Sequence, residues 1–325
     1  MKTRDKILFF LNKKEQFTVN ELVNHLNMSN QYVHRVLNDL EDEGLVRKIG
    51  TTPKVLYTRP ESVKASDNQT VNYEVEKFLK DHLLLVDPLG NLLEGYDAMQ
   101  YWCEKQNLPF GKTTQEFIET RQKYLNSYDE NHLIDGLVKL KNTQGIGEIG
   151  VDQLFYLDFY AIERFGKTKL GTLMHYAKQG QNKNLMKLIV SEIKQSIFRL
   201  VEMEKIDAVL FVPPTIKRNV QIMNYLKIHL KIPLPHVKIN KLQNQIVVPQ
   251  KALSKLFERV INAKNTFDVP LQEQFTHVLI IDDAVGSGAT INEIALKVKA
   301  QGIAQKITGL AITGSFKGFD VISEL

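Results

Sequence analysis

The stretch Val278 to Thr290, VLIIDDAVGSGAT, joins four apolar residues to two adjacent aspartates and then to a loop of small residues. Two carboxylates at the end of a buried strand suit a pair of hydroxyl groups or a cation. The small side chains of Gly286, Ser287, Gly288 and Ala289 let backbone N–H groups converge. Such a nest, leading into a helix N-terminus, holds an anion. Ser287 and Thr290 add hydroxyl donors. The loop therefore suits a phosphate, and Asp282 and Asp283 suit something bonded close to it. A sugar phosphate offers both partners, and the stretch reads as a site for a ribose 5-phosphate.

Two other motifs resemble phosphate loops and are discounted. Gly145 to Gly150, GIGEIG, matches G-x-G-x-x-G, but helix-like sequence precedes it and strand-like VDQLFYLDFYAI follows. A dinucleotide fingerprint needs the reverse order, so this is a glycine-rich connection. FGKTKLG contains Gly166-Lys167-Thr168, but a Walker A loop has a further glycine five residues before its Gly-Lys pair, where Ala161 stands.

The elements that would position the acid pair alternate from about Val151 onward. DAVLFVPP reads as a short buried strand, RNVQIMNYLKIHL as a helix and PHVKIN as a short strand. PQKALSKLFERVINA reads as an amphipathic helix or a mobile segment. HVLIIDD is the central strand, TINEIALKVKAQG a helix and KITGLAITG a strand. This alternation implies a largely parallel sheet covered by helices. Ligands of such sheets bind beyond the carboxyl ends of strands, where Asp282 and Asp283 are expected.

The first sixty residues carry a different chemistry. Ile7, Leu8 and Leu11 have helical spacing, and Thr18 with Glu21 forms a capping box for a second helix striped by Leu22, Val23 and Leu26. Ser29 caps NQYVHRVLNDLEDEG, striped by Val33, Val36, Leu37 and Leu40 and stopped by Gly44. LVRKIGTTPKVLYTR then reads as two strands around a turn. Together these resemble the winged helix-turn-helix of bacterial regulators. The exposed side of the reading helix would present Asn30, Gln31, Tyr32, His34, Arg35 and Asn38 to base edges and phosphates. Arg47, Lys48 and Lys54 on the hairpin would contact phosphates. Against this, Asp39, Glu41, Asp42 and Glu43 put carboxylates at the helix end, and a winged helix used for protein contact is the alternative.

Composition bounds the rest. A chain of 325 residues exceeds one ordinary core, so two or three domains are expected. The net charge of +5 permits contact with nucleic acid without requiring it. The single cysteine, Cys103, excludes an intramolecular disulfide and a cysteine-rich zinc site, and it reads as a buried thiol. No apolar run is long enough to span a membrane and the N-terminus lacks a cleavage signal, so a cytoplasmic protein with no membrane contact is expected. Thr58 to Thr70 reads as a linker, followed by helix, hairpin around Asp87 to Gly90, and two further helices with no visible catalytic group. Tyr96, Tyr101 and Trp102 read as core.

VLIIDDAVGSGAT resembles the phosphoribosyl-pyrophosphate (PRPP) signature of type I phosphoribosyltransferases. By that resemblance Asp282 and Asp283 hold the ribose hydroxyls, Gly286, Ser287, Gly288, Ala289 and Thr290 wrap the 5-phosphate, and Ala284 and Val285 belong to the same PRPP site. The ComF-like branch is more similar still. LFVPPTIKRNVQ resembles its Val-Pro strand end and basic loop. Gln250, Leu253, Ser254, Arg259, Asn262 and Phe267 resemble a further stretch of it, and Lys178 and Gly180 an upstream segment. The resemblance covers about the last 160 residues of the sequence. It implies pyrophosphate contacts from Pro214, Thr215, Ile216, Lys217, Arg218 and Arg259, with Mg²⁺ accompanying PRPP. The cysteine cluster usual in that branch is absent, and a winged helix precedes the domain, as in the purine-operon repressor.

The expected fold is α/β: a parallel-sheet phosphoribosyltransferase-like domain at 151–325, an N-terminal winged helix-turn-helix domain at 1–60, and a linker with an α+β middle region, a candidate hood, at 61–150. Two functions fit. One is a homodimeric regulator that binds double-stranded DNA and senses PRPP or a related phosphoribosyl ligand. The other is a Mg-dependent phosphoribosyltransferase acting on a nucleobase or similar nucleophile. A role with single-stranded DNA lacks the interleaved aromatic and basic residues it would need.

Overall fold

A computed structural model describes residues 3–4, 6–7, 10, 16–26, 28–43, 45–49, 55–58, 73–143, 145–214, 216, 218–242 and 265–315. The chain divides into two compact units, Met1–Val75 and Glu76–Leu325.

The first unit contains β1 (Gln16–Phe17), α1 (Val19–Leu26), α2 (Asn30–Asp42), β2 (Arg47–Ile49) and β3 (Leu56–Thr58). The capping box forms as its spacing requires: Thr18 N–H donates to Glu21 Oε2 at 2.9 Å and Glu21 N–H to Thr18 Oγ1 at 3.3 Å. Ser29 caps α2, its hydroxyl accepting from Tyr32 N–H. Val33, Leu37 and Leu40 of α2 are buried together with Ile7, Phe17, Leu22, Val46 and Tyr57. The strands run antiparallel in the order β1-β3-β2, so β1 adds a third strand to the expected hairpin. Leu8, Leu11, Gly44, residues 50–54 of the expected turn and residues 59–70 of the expected linker lie outside the described residues, while Thr58 ends β3.

The second unit opens with α3 (Tyr73–His82, here from Glu76), the hairpin β4 (Leu84–Val86) and β5 (Leu92–Glu94), then α4 (Gly95–Gln106) and α5 (Phe110–Leu125). β6 (Ile134–Asp135), α6 (Leu137–Lys141), β7 (Gln153–Phe159), β8 (Ala161–Ile162) and β9 (Gly166–Lys167) follow. Next come α7 (Lys169–Gln179), α8 (Lys183–Met203), β10 (Ala208–Phe211), α9 (Ile222–Leu230), β11 (Asn240–Lys241) and β12 (Phe267–Asp268). The last described elements are β13 (Phe275–Val285), α10 (Ala289–Ala300) and β14 (Ala304–Gly314).

The main sheet has five strands in the order β10-β13-β14-β7-β6. Four are parallel, and β6 pairs antiparallel with β7 through Ile134 opposite Tyr156. The sheet is therefore mixed, and its antiparallel edge comes from the stretch before Val151, which the sequence did not signal as part of the sheet. Val278, Leu279, Ile280 and Ile281 are all fully buried because helices cover both faces, which explains their unbroken apolar run. Leu279, Ile281, Val209, Phe211, Leu310 and Ile312 pack on one face against α7, α8 and α9. The alternate residues turn to the other face, where α10 lies on β13 and β14. Leu84 and Leu133 join the first of these cores, so the middle stretch is built into the same body as the sheet.

Two connections fix the ends of the sheet. Thr168 caps α7, accepting from Gly171 N–H at 3.0 Å while its hydroxyl donates to Phe159 O at 2.7 Å. A side chain at Gly171 would stand 1.9 Å from Tyr160 O, so only glycine lets α7 start against the end of β7. The Gly145–Gly150 segment is held by buried Asn292 of α10, which accepts from Gly150 N–H at 2.8 Å and donates to Glu148 O at 2.9 Å. Among the described residues no helix is long and apolar enough to cross a membrane.

Candidate functional site

In the first unit, helical periodicity turns one side of α2 into the core and leaves the other to solvent. Asn30, Gln31, Tyr32, His34, Arg35 and Asn38 are all exposed. Asn30, Gln31, His34, Arg35 and Asn38 line one shallow depression. The Arg35 guanidinium stands over the Tyr32 ring, 5.0 Å from its centroid. Arg47 and Lys48 are exposed on β2, and Lys54 lies outside the described residues. Of the acidic residues closing α2, Glu43 is paired with Arg4 at 2.5 Å, which reduces the negative field at that end.

In the second unit the acid pair marks the place where β13 loses one neighbour. β10 ends at Phe211, opposite Ile281, and Val212 N–H makes a last bond to Ile281 O at 2.9 Å. Pro213 and Pro214 follow and have no N–H to continue the ladder. β14 continues on the other side, pairing Asp282 with Ala311, Ala284 with Thr313 and Val285 with Gly314. Asp282 is therefore the first residue beyond the carboxyl end of β10, although β13 itself runs on to Val285. Ala284 and Val285 are strand residues, and the loop proper is Gly286 to Gly288. The strand is longer than the apolar pattern indicates because β14 offers it partners as far as Gly314.

Strand geometry also sends adjacent side chains to opposite faces, so the two carboxylates are neighbours without being parallel. Asp283 shares the face of Leu279 and Ile281, and Lys178, in the last turn of α7, donates to its carboxylate. Asp282 turns to the other face and accepts from Asp283 N–H at 2.8 Å. Burial, followed by the nearby Asp283 carboxylate, raises the pKa of Asp282 far above the usual carboxylate range; the bond from Asp283 N–H and the charge of Lys178 only partly oppose this.

The loop turns through Gly288, whose φ of +81° is the left-handed conformation, and α10 begins at Ala289. A Cβ on Gly288 would meet Leu140 Cδ1 at 2.6 Å, so α6 lies against the loop. Ser287 Oγ accepts from Ala289 N–H at 3.4 Å. Lys139, also on α6, donates to Ser315 O, and burial lowers its pKa to about 8. On the β10 side, Pro214, Ile216 and Arg218 are half-buried. Their loop is tied to the turn after α7, where Gln181 Oε1 accepts from Val220 N–H at 2.9 Å. The carboxyl end of the sheet thus gathers the acid pair, Lys178, the helix N-terminus and the loop after β10. Thr215, Lys217 and Arg259, with Gln250, Leu253, Ser254 and Asn262, lie outside the described residues, while Phe267 is buried in β12.

Sequence reasoning noted Lys178 but not its ion pair, and it missed Arg121 and Asp158. These two are buried and joined by two bonds of 2.9 and 3.0 Å, with Tyr128 OH donating to Asp158 Oδ1 at 2.7 Å. Arg121 falls on the buried stripe of α5, where an arginine without an acidic partner at helical spacing was the one available signal.

Residues 6–53 match the model of the MarR family. No curated protein matches the chain.

Proposed function

We propose that the protein is a DNA-binding transcription regulator whose C-terminal unit binds PRPP or a related phosphoribosyl ligand. The match of residues 6–53 to the MarR family carries the DNA-binding half. The reading face of α2 supports it with amide, imidazole and guanidinium groups free of the core. Winged helices of this kind read paired half-sites as dimers, so a homodimer on double-stranded DNA belongs to the proposal.

The ligand half rests on the carboxyl end of the sheet, where open α/β sheets bind their ligands. A 5-phosphate would take the N-terminus of α10, and ribose hydroxyls would approach Asp282 and Asp283. To engage Asp283 the sugar must share or displace Lys178. Mg²⁺ would enter on the ligand's own phosphates, whose oxygens it prefers.

Each half has its test. Arg35→Ala with Asn38→Ala should weaken binding to a DNA fragment selected by the native protein at least tenfold, read by fluorescence anisotropy at fixed salt. Undiminished binding would remove α2 as the reading helix. Asp282→Asn with Asp283→Asn should abolish PRPP binding in calorimetry while circular dichroism stays native. Retained affinity would remove the acid pair from the site, and pyrophosphate release from PRPP with a nucleobase would turn the sensor into a transferase.

A further inference from the structure

The second unit has a cleft of about 230 Å³ that shares no lining residue with the acid-pair site. That volume is below the ~300–1,000 Å³ of pockets for drug-sized ligands, so an occupant has the size of a simple metabolite. Leu125, Leu157, Leu170, Leu173 and Ile193, from α5, β7, α7 and α8, supply its aliphatic surface. Polar groups surround the aliphatic part: Asp81 and His82 from α3, Tyr128 and His132, Lys169 from α7, and Glu192 and Ser196 from α8.

The charges are not equally available. Arg121 and Asp158 also line the cleft; their charges are paired with each other and bonded to Tyr128, which leaves the buried Arg121 Nε–H without a partner among the described residues. Burial, followed by the charge of Arg121, lowers the His82 pKa to about 4, so its ring is neutral near pH 7. Lys169 and Glu192 are paired with each other more loosely, at 3.4 Å, and Asp81 already accepts from Lys77. Lys169 Nζ donates to Lys80 O at 3.1 Å, and the carboxylates of Glu192 and Glu94 stand off at 3.4 and 3.8 Å. Of the three ammonium donors only the one on Lys80 O makes a close bond among the described residues, so an incoming oxygen would compete with two loose ion pairs. Glu192 is half-exposed beside it. A simple anion would meet the carboxylates of Glu192 and Asp81, and a simple cation would meet Lys169. A molecule carrying both charges on one small centre, with an apolar body, satisfies the whole surface.

We propose that this cleft binds a free α-amino acid with an aliphatic side chain, its carboxylate on Lys169, its ammonium on Glu192 and its body on the leucine floor. Because α3 is the first helix of the unit in chain order, the occupant contacts the element nearest in sequence to the winged helix.

The test is calorimetry on the full chain with each of the common L-amino acids, then with two analogues of L-leucine: 4-methylpentanoate, which lacks the ammonium, and 3-methylbutylamine, which lacks the carboxylate. An aliphatic amino acid should bind, and each analogue should bind at least about tenfold more weakly. Glu192→Gln and Lys169→Met should each weaken binding by a similar factor. Ser196→Phe, which fills the cleft, should abolish it with the native circular dichroism spectrum retained. The proposal is overturned if no amino acid binds, if either one-charge analogue binds as tightly as leucine, or if folded variants keep full affinity.

Discussion

Asp282 carries a charge that its own surroundings disfavour. Its carboxyl is raised by burial and by Asp283. At pH values below the unfolded value of about 4 both states are protonated and nothing is lost. As the pH rises towards 7 the unfolded chain ionises freely, the folded one resists, and stability falls until the folded group has titrated. Asp282→Asn should therefore melt with the native protein near pH 4 and above it at pH 8. A difference of about 2–4 °C or more is expected, the shift one kcal/mol makes in a unit of this size. Thermal melts at both pH values check this, and an equal or lower melting point for the variant at pH 8 would contradict it. Hydroxyl groups or a cation at this carboxylate would lower the cost of ionising it.

At the scale of elements, the small-residue loop is shaped by a contact as well as by its own sequence. Gly288 combines a left-handed φ with the approach of Leu140, so α6 and the start of α10 are brought together at one residue. Gly288→Ala adds backbone strain and a clash, and should destabilise the unit by about 1–3 kcal/mol in urea unfolding. A ligand at the α10 N-terminus should lose affinity in the same variant. Elsewhere the buried Arg121–Asp158 pair joins α5 to the end of β7, and the Thr168 cap joins α7 to the same place. The carboxyl end of the sheet is thus clamped by side chains drawn from stretches far apart in sequence.

For the whole molecule, the reading as a sensor makes a thermodynamic demand. A ligand that changes DNA affinity must bind the DNA-free and DNA-bound states unequally, and DNA must change ligand affinity by the same factor. PRPP should shift the DNA dissociation constant about 5- to 150-fold, and titrating PRPP into the protein–DNA complex should return that factor. A factor of one in both titrations would separate the ligand site from regulation. Binding should also weaken steeply with salt, because Arg35, Arg47 and Lys48 release counterions from phosphate while the net charge of the chain is only +5.

Local rules determined much of this protein in advance. Capping chemistry at Thr18, Glu21 and Ser29, the stripe of Val33, Leu37 and Leu40, and the apolar run before Asp282 each depend on neighbours within a few residues, and those elements stand where the sequence puts them. Long-range pairing decided the rest. β6 joining the main sheet, β13 continuing through Val285, and the bonds from Lys178 to Asp283 and Arg121 to Asp158 all unite residues whose separation carries no periodic signal. A strand's length depends on the partner beside it, and a buried charge depends on the opposite charge that packing delivers. Neither is written in the segment itself.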